Sequence, residues 1–118
     1  MTLDMAYGSE TLSMDADLMA SVLINLFDNA RKARAKHVHI VCSGGLISVT
    51  DDGCGIPADS VKRITEPFYM VDKSRSRKAG GVGLGLALVK RIVAMHGGKL
   101  SILSQIELGT CVEIELPQ

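Results

Sequence analysis

The amino-acid sequence predicts an α+β fold: a two-layer α/β sandwich whose mixed, mostly antiparallel sheet is covered on one face by about three helices. Three observations carry this expectation. Two segments place apolar residues at three- and four-residue steps, the helical period, and five short segments alternate with period two. Their order is strand, helix, hairpin, short helix, loop, helix, hairpin, which sets most strands beside an antiparallel neighbour. A chain of 118 residues has room for one core, so residues 1–118 read as a single domain.

Leu3, Met5 and Tyr7 alternate with polar or small residues and predict a short strand at a sheet edge. Asp15 is placed to cap a helix that carries Leu18, Met19, Val22, Leu23, Leu26, Phe27 and Ala30 on one stripe and reaches about Arg34. Val38 and Ile40 alternate with His37 and His39, and Gly44-Gly45 supplies a hairpin turn before Leu46, Ile47 and Val49. Residues Asp51 to Gly55 form a turn, and Pro57 opens a short helix to about Ile64. From Glu66 to Gly81 no period persists, so a long loop is expected. Leu84, Leu88, Val89, Ile92, Val93 and Met95 mark a second strong helix ended by Gly97-Gly98. Lys99–Ser104 and Thr110–Leu116 alternate around Gly109 and close the chain as a strand pair.

Composition narrows the function. With 47% apolar and 22% charged residues the chain has the means to bury a core. Its aromatics are only Tyr7, Phe27, Phe68 and Tyr69, so that core is aliphatic and base-stacking platforms for nucleic acid lack their raw material. No apolar run approaches the ~20 residues needed to cross a bilayer, so no membrane contact is expected of this fragment. Cys42, Cys54 and Cys111 are odd in number and form no C-x-x-C pair, which fits a reducing cytoplasm. His37 and His39 share a strand face, but the sequence offers them no further metal ligands. Net charge is zero, yet Arg31, Lys32, Arg34 and Lys36 form one acid-free block and Lys73, Arg75, Arg77, Lys78, Lys90 and Arg91 another. Such runs serve as solvated faces or, with other motifs beside them, as anion contacts.

Three constellations carry chemistry. Asn25, Asn29 and Lys32 lie on one helical stripe with Asp28 beside them. This is either a plain polar flank or a pair of neutral amide oxygens suited to Mg²⁺ with a lysine for phosphate. In Val49 to Pro57 a strand runs into Asp51 and Asp52 and then Gly53 and Gly55, glycines that permit a close backbone approach. Gly53, Gly55 and Ala58 also satisfy a dinucleotide fingerprint, but two carboxylates before the first glycine repel pyrophosphate and no long helix follows. A carboxylate there suits the amino edge of a base, or forms an ordinary Asp-Gly turn. Gly80, Gly81, Gly83 and Gly85 precede the second strong helix, as an anion site of bare amides or as a hinge. No Gly-Lys-Ser/Thr follows, which excludes a Walker A loop.

Four segments together are specific. Asn25-Leu26-Phe27-Asp28-Asn29-Ala30, Asp51-Asp52-Gly53-Cys54-Gly55-Ile56, Glu66-Pro67-Phe68-Tyr69 and Gly81-Val82-Gly83-Leu84-Gly85-Leu86 resemble the asparagine box, the two glycine boxes and the phenylalanine box of a known family. That family is the ATP-binding catalytic domain of sensor histidine kinases, in the GHKL superfamily, and the boxes stand in its order. The resemblance extends over nearly the whole chain. It implies a GHKL fold, ATP and Mg²⁺ as ligands, and γ-phosphoryl transfer to a histidine in two-component signalling.

By that resemblance Asn29 coordinates Mg²⁺, Asn25 lies beside the metal and the γ-phosphate, and Lys32 contacts phosphate. Asp51 holds the adenine amino group, Gly53 and Gly55 shape the pocket, and Thr110 supports Asp51 through water. Phe68 anchors a lid carrying Lys73 and Arg75, while Gly81, Gly83, Leu84 and Gly85 form the end that closes over the triphosphate. Three positions depart from the pattern: Ala33, Met70 and Val82 stand where an aromatic, an arginine and a threonine are frequent. The phosphate contact is then left to Lys73, Arg75 or Lys78.

Gyrase-like members carry a glutamate at the place of Asn25 as general base on water, and an amide cannot take that proton. His37, His39 and His96 lack the acidic follower of the acceptor motif. The implied partners are therefore a dimerisation and phosphoacceptor domain lying upstream in the parent kinase and, indirectly, a response regulator. The parent is cytoplasmic or membrane-anchored. A standalone serine kinase of the same superfamily and a noncatalytic ATP sensor remain as alternatives.

Overall fold

A computed structural model describes residues 2–7, 15–66 and 85–117, with the backbone alone for 2–7. Five strands, β1 (Thr2–Tyr7), β2 (His37–Ser43), β3 (Leu46–Asp51), β4 (Lys99–Gln105) and β5 (Gly109–Glu115), form one sheet in the order β1-β2-β3-β5-β4. β1 pairs with β2 in parallel and all other pairs are antiparallel. The described helices are α1 (Ala16–Lys32), α2 (Ala58–Val61) and α3 (Gly85–Met95). The expected mixed sheet is thus present, with β1 at its edge. The parallel pair is possible because α1 carries the chain from the end of β1 back to the start of β2.

α1 forms where the apolar stripe predicted it. Asp15 caps it, its carboxylate accepting from the N–H groups of Asp17 at 2.9 Å and Leu18 at 3.2 Å. The helix stops two residues short of Arg34. Ala35 N–H bonds the Ala30 carbonyl and Arg34 N–H that of Arg31, both at 3.0 Å, which closes a Schellman motif with Arg34 in the left-handed conformation at φ 61°. The end of α3 has the same construction with Gly97 at φ 71°. The short helix after Pro57 is a single turn, followed by hydrogen-bonded turns rather than helix through Ile64. Gly44 and Gly45 both have positive φ, as the tight turn between β2 and β3 demands.

Val22, Leu26 and Ala30 of α1 and Val89, Ile92 and Val93 of α3 press on Val38, Ile40, Ile47, Val49, Val112 and Ile114 of the sheet. The core is aliphatic, and each Ile or Val fully withdrawn from water contributes about 1.5–3 kcal/mol. On the other sheet face His39, Thr50 and Leu103 are exposed, so the helices cover one face only. This parity fixes the site. Ile47 and Val49 point into the core, so Asp51, two residues on, points to the helix side at the end of β3. Leu100, Ile102 and Ser104 follow the same rule on β4.

Candidate functional site

Asp51 is half-buried on the helix side of the sheet and faces Thr110 across the β3–β5 ladder. Its Oδ1 accepts the N–H of Gly53 at 2.8 Å. Burial pushes the carboxyl above its usual range, the Gly53 and Thr110 N–H groups pull it back, and Asp52 adds a repulsion; burial wins. A carboxylate has about four lone-pair positions, so two backbone donors leave capacity for a ligand amino group.

Asp52, next in sequence, does something else. Its carboxylate points out to solvent and accepts from the N–H groups of Lys36 at 2.8 Å and His37 at 2.9 Å, with His37 Nδ1 2.8 Å from its other oxygen. Those bonds, the His37 backbone first, hold it down at about 2. It fastens the α1–β2 connection to the turn after β3. Of two adjacent aspartates one faces the site and the other staples its wall.

Gly53 and Gly55 allow a close approach, but of the protein to itself. A Cβ on Gly53 would lie 2.7 Å from the Ala33 Cβ at the end of α1, and one on Gly55, at φ 76°, would overlap the Gln105 carbonyl. Cys54 N–H bonds the Ala33 carbonyl at 2.9 Å, and Glu107 N–H bonds the Cys54 carbonyl at 2.8 Å. The turn is wedged between α1 and the β4–β5 hairpin, and the glycines make the wedge thin enough.

Asn25 and Asn29, one turn apart on α1, meet the start of α3. A Cβ on Gly85 would stand 3.2 Å from Asn25 Oδ1 and 3.6 Å from Asn29 Oδ1. Asn25 Nδ2 donates to the Ser21 carbonyl at 2.8 Å, which turns its oxygen toward that gap. Asn29 Nδ2 is buried with no hydrogen-bond partner. An orphaned amide in a core costs roughly 1–3 kcal/mol, and rotating it by 180° would put its oxygen where the nitrogen lies. Two neutral amide oxygens in a narrow gap before a helix N-terminus fit a hard cation that shares its shell with phosphate and water. Among the described residues no group of three His, Cys, Asp or Glu side chains forms a metal cluster.

Lys32 is three-quarters covered and pairs with Asp28 at 3.0 Å, while Arg31 takes the other oxygen of the same carboxylate at 2.7 Å. Burial raises the Asp28 carboxyl, but the hydrogen bonds from Arg31 and Lys32 outweigh it and hold it below its ordinary value. Asp28 therefore steers Lys32 across one helical turn.

Ser104 belongs to none of the sequence motifs, yet it joins the site. Its Oγ accepts the Ile56 N–H at 2.7 Å, donates to the Gly109 carbonyl at 3.0 Å and lies 2.7 Å from Thr110 Oγ1. The signal was a lone hydroxyl at an inward position of an alternating strand. Asp51, Gly53, Gly55 and Thr110 thus gather at one end of the site, and Asn25, Asn29, Lys32 and Gly85 along its helical wall. Ala33, one turn beyond Asn29, touches Gly53 and joins the two. Phe68, Lys73, Arg75, Gly81, Gly83 and Leu84, with Met70, Lys78 and Val82, lie outside the described residues. A separate cleft of about 290 Å³ between α2, α3 and β4, lined by Val61, Thr65, Lys90, Val93, Leu100 and Ile102 among others, contains none of these site residues.

Residues 14–118 match the family described as histidine kinase-, DNA gyrase B-, and HSP90-like ATPase. The chain belongs to that family. It is 39% identical over 114 residues to the sensor histidine kinase WalK of Bacillus subtilis, covering 90% of this chain and 19% of that protein. It is 37% identical over 123 residues to the sensor-like histidine kinase SenX3 of Mycolicibacterium smegmatis, covering 99% and 32%. The chain therefore spans about a fifth to a third of the length of these relatives. Among solved structures, a mycobacterial sensor histidine kinase MprB superposes with a TM-score of 0.80 at 26% identity, over 98% of this chain and 80% of that one. Full-length ShkA in complex with AMPPNP does so with 0.78 at 30% identity, over 98% and 25%. The α+β fold is that of histidine kinase catalytic domains in the GHKL superfamily. No helix among the described residues is long and apolar enough to cross a membrane.

Proposed function

We propose that this domain binds Mg²⁺-ATP and donates its γ-phosphoryl group to a histidine on a dimerisation domain outside these residues, as the first step of two-component signalling in the cytoplasm. The observation that carries the reading is the pair of amides, Asn25 and Asn29, aimed at the start of α3 with the Asn29 Nδ2 left unpartnered. A carboxylate at Asn25 would serve as a base on water; an amide can only position. Positioning and charge neutralisation are what phosphoryl transfer asks of a protein.

Asp51 accepts from the adenine amino group, with Thr110 beside it, and Gly53 and Gly55 keep the turn below the base thin. Asn25 and Asn29 hold the metal, which offsets charge on the phosphates when bound. Lys32, oriented by Asp28, faces phosphate. Phe68, Lys73, Arg75, Gly81, Gly83 and Leu84 are assigned to the lid. In the transfer the bond from the γ-phosphorus to the bridging oxygen breaks, an imidazole nitrogen of the acceptor bonds the phosphorus, and ADP leaves. A response regulator then takes the phosphoryl group from that histidine. The naming of several relatives as sensor histidine kinases and the AMPPNP complex of ShkA support this reading.

The test is to supply the dimerisation domain of the parent kinase with ATP labelled at the γ position. Acid-labile, base-stable label on that domain is expected. Acid-stable label on serine would instead indicate a serine kinase, and ATP binding without transfer a nucleotide sensor.

A further inference from the structure

We infer that Ser104 is a positioning residue: it fixes the direction of the Thr110 hydroxyl so that the base pocket accepts hydrogen bonds without donating any, which selects adenine over guanine. The inference rests on the nucleotide reading above and deepens it. Ser104 Oγ donates to the Gly109 carbonyl over 3.0 Å, and a hydroxyl has a single proton to give. The Ile56 N–H fills one lone pair of Ser104 Oγ at 2.7 Å. One lone pair is left, and Thr110 Oγ1, 2.7 Å away, must fill it with its own proton. Ser104 is then saturated.

The Thr110 hydroxyl has no proton left for a ligand and offers only lone pairs on the side of Asp51, its register partner. Both side chains at this end of the site are therefore acceptors. A purine with an amino group at carbon 6 brings two protons to them. Guanine brings a carbonyl there, whose lone pairs face a carboxylate. A freely turning threonine hydroxyl would relieve that clash by donating, and Ser104 takes this freedom away. Specificity comes from the mismatch it enforces.

Calorimetric titration of ATP and of GTP into the whole chain tests this. Ser104→Ala should lower the ATP-over-GTP affinity ratio by roughly 3- to 10-fold, the worth of one neutral hydrogen bond, and Ser104→Thr should restore it. Adding Thr110→Val to Ser104→Ala removes the released donor and should bring the ratio back up. If Ser104→Ala does not fold, Ser104→Cys keeps the volume with a poor acceptor and should shift the ratio the same way. An unchanged ratio in the folded variants, or a fall that persists in the double variant, would overturn the role of Ser104 while leaving ATP binding in place. Wild-type protein that bound neither nucleotide would overturn the nucleotide reading and this inference with it.

Discussion

Replacing Asp51 removes the group on which the proposed base recognition turns. Its carboxylate is half-buried, engaged by two backbone N–H groups, and held above its ordinary pKa by desolvation. A ligand amino group therefore meets a charged acceptor with little competing water, a contact worth about 1.5–3 kcal/mol. At 1.4 kcal/mol per tenfold, Asp51→Ala should weaken ATP binding roughly 10- to 150-fold. The alanine also frees the Gly53 N–H, so Asp51→Asn is the companion: it keeps an oxygen for Gly53 but turns a donor or a neutral oxygen toward the amino group. Both variants should lose affinity in calorimetric titration at fixed Mg²⁺, and Asp51→Asn should keep its melting temperature more fully. ATP affinity equal to wild type in Asp51→Ala would refute the adenine assignment.

Asn29→Ala should leave the ligand-free protein as stable as wild type or more so, because it deletes an orphaned amide, while abolishing the Mg²⁺-dependent part of ATP affinity. Melting curves with and without Mg²⁺-ATP read both effects, and a destabilised apoprotein with intact metal dependence would contradict it. Gly55→Ala should destabilise the ligand-free chain by about 2 kcal/mol or more, since φ 76° and the Gln105 carbonyl both oppose a Cβ; denaturant unfolding measures it. Arg34→Gly should raise stability by about 1 kcal/mol, as glycine occupies the left-handed cap without a Cβ penalty, and unfolding in urea gives the value. Asp52 has its folded pKa near 2, below the ordinary 3.8, so its stabilisation is complete above that ordinary value and is lost as pH falls through about 2. Between pH 4 and 2 the melting temperature of Asp52→Asn should therefore fall less steeply than that of wild type.

Local physics made much of the fold legible. The four-residue steps of Val22, Leu26 and Ala30 could only face a core, and Gly44-Gly45 could only turn a hairpin. What alternation cannot encode is a partner: Leu3, Met5 and Tyr7 marked a strand and an edge, but not that β1 runs parallel to β2. Arginine carries no stop signal, so the sequence pattern alone extends α1 to about Arg34; the Ala35–Ala30 bond ends the helix at Lys32. At the site, the motifs named Asn25, Asn29 and Asp51, whose spacing along a helix or strand sets their direction. They did not reveal that Gly53 and Gly55 serve contacts within the chain, or that Asp28 holds Lys32. Ser104 stayed hidden because its role arises from three partners, at residues 56, 109 and 110, that only the folded hairpin brings together.

The most direct test of the account is a crystal of this domain grown with AMPPNP and Mn²⁺ in place of Mg²⁺. We predict an anomalous peak within coordination distance of the Asn29 side chain and the exocyclic amino group of the base hydrogen-bonded to Asp51. A base bound away from Asp51, or a metal remote from Asn29, would contradict it.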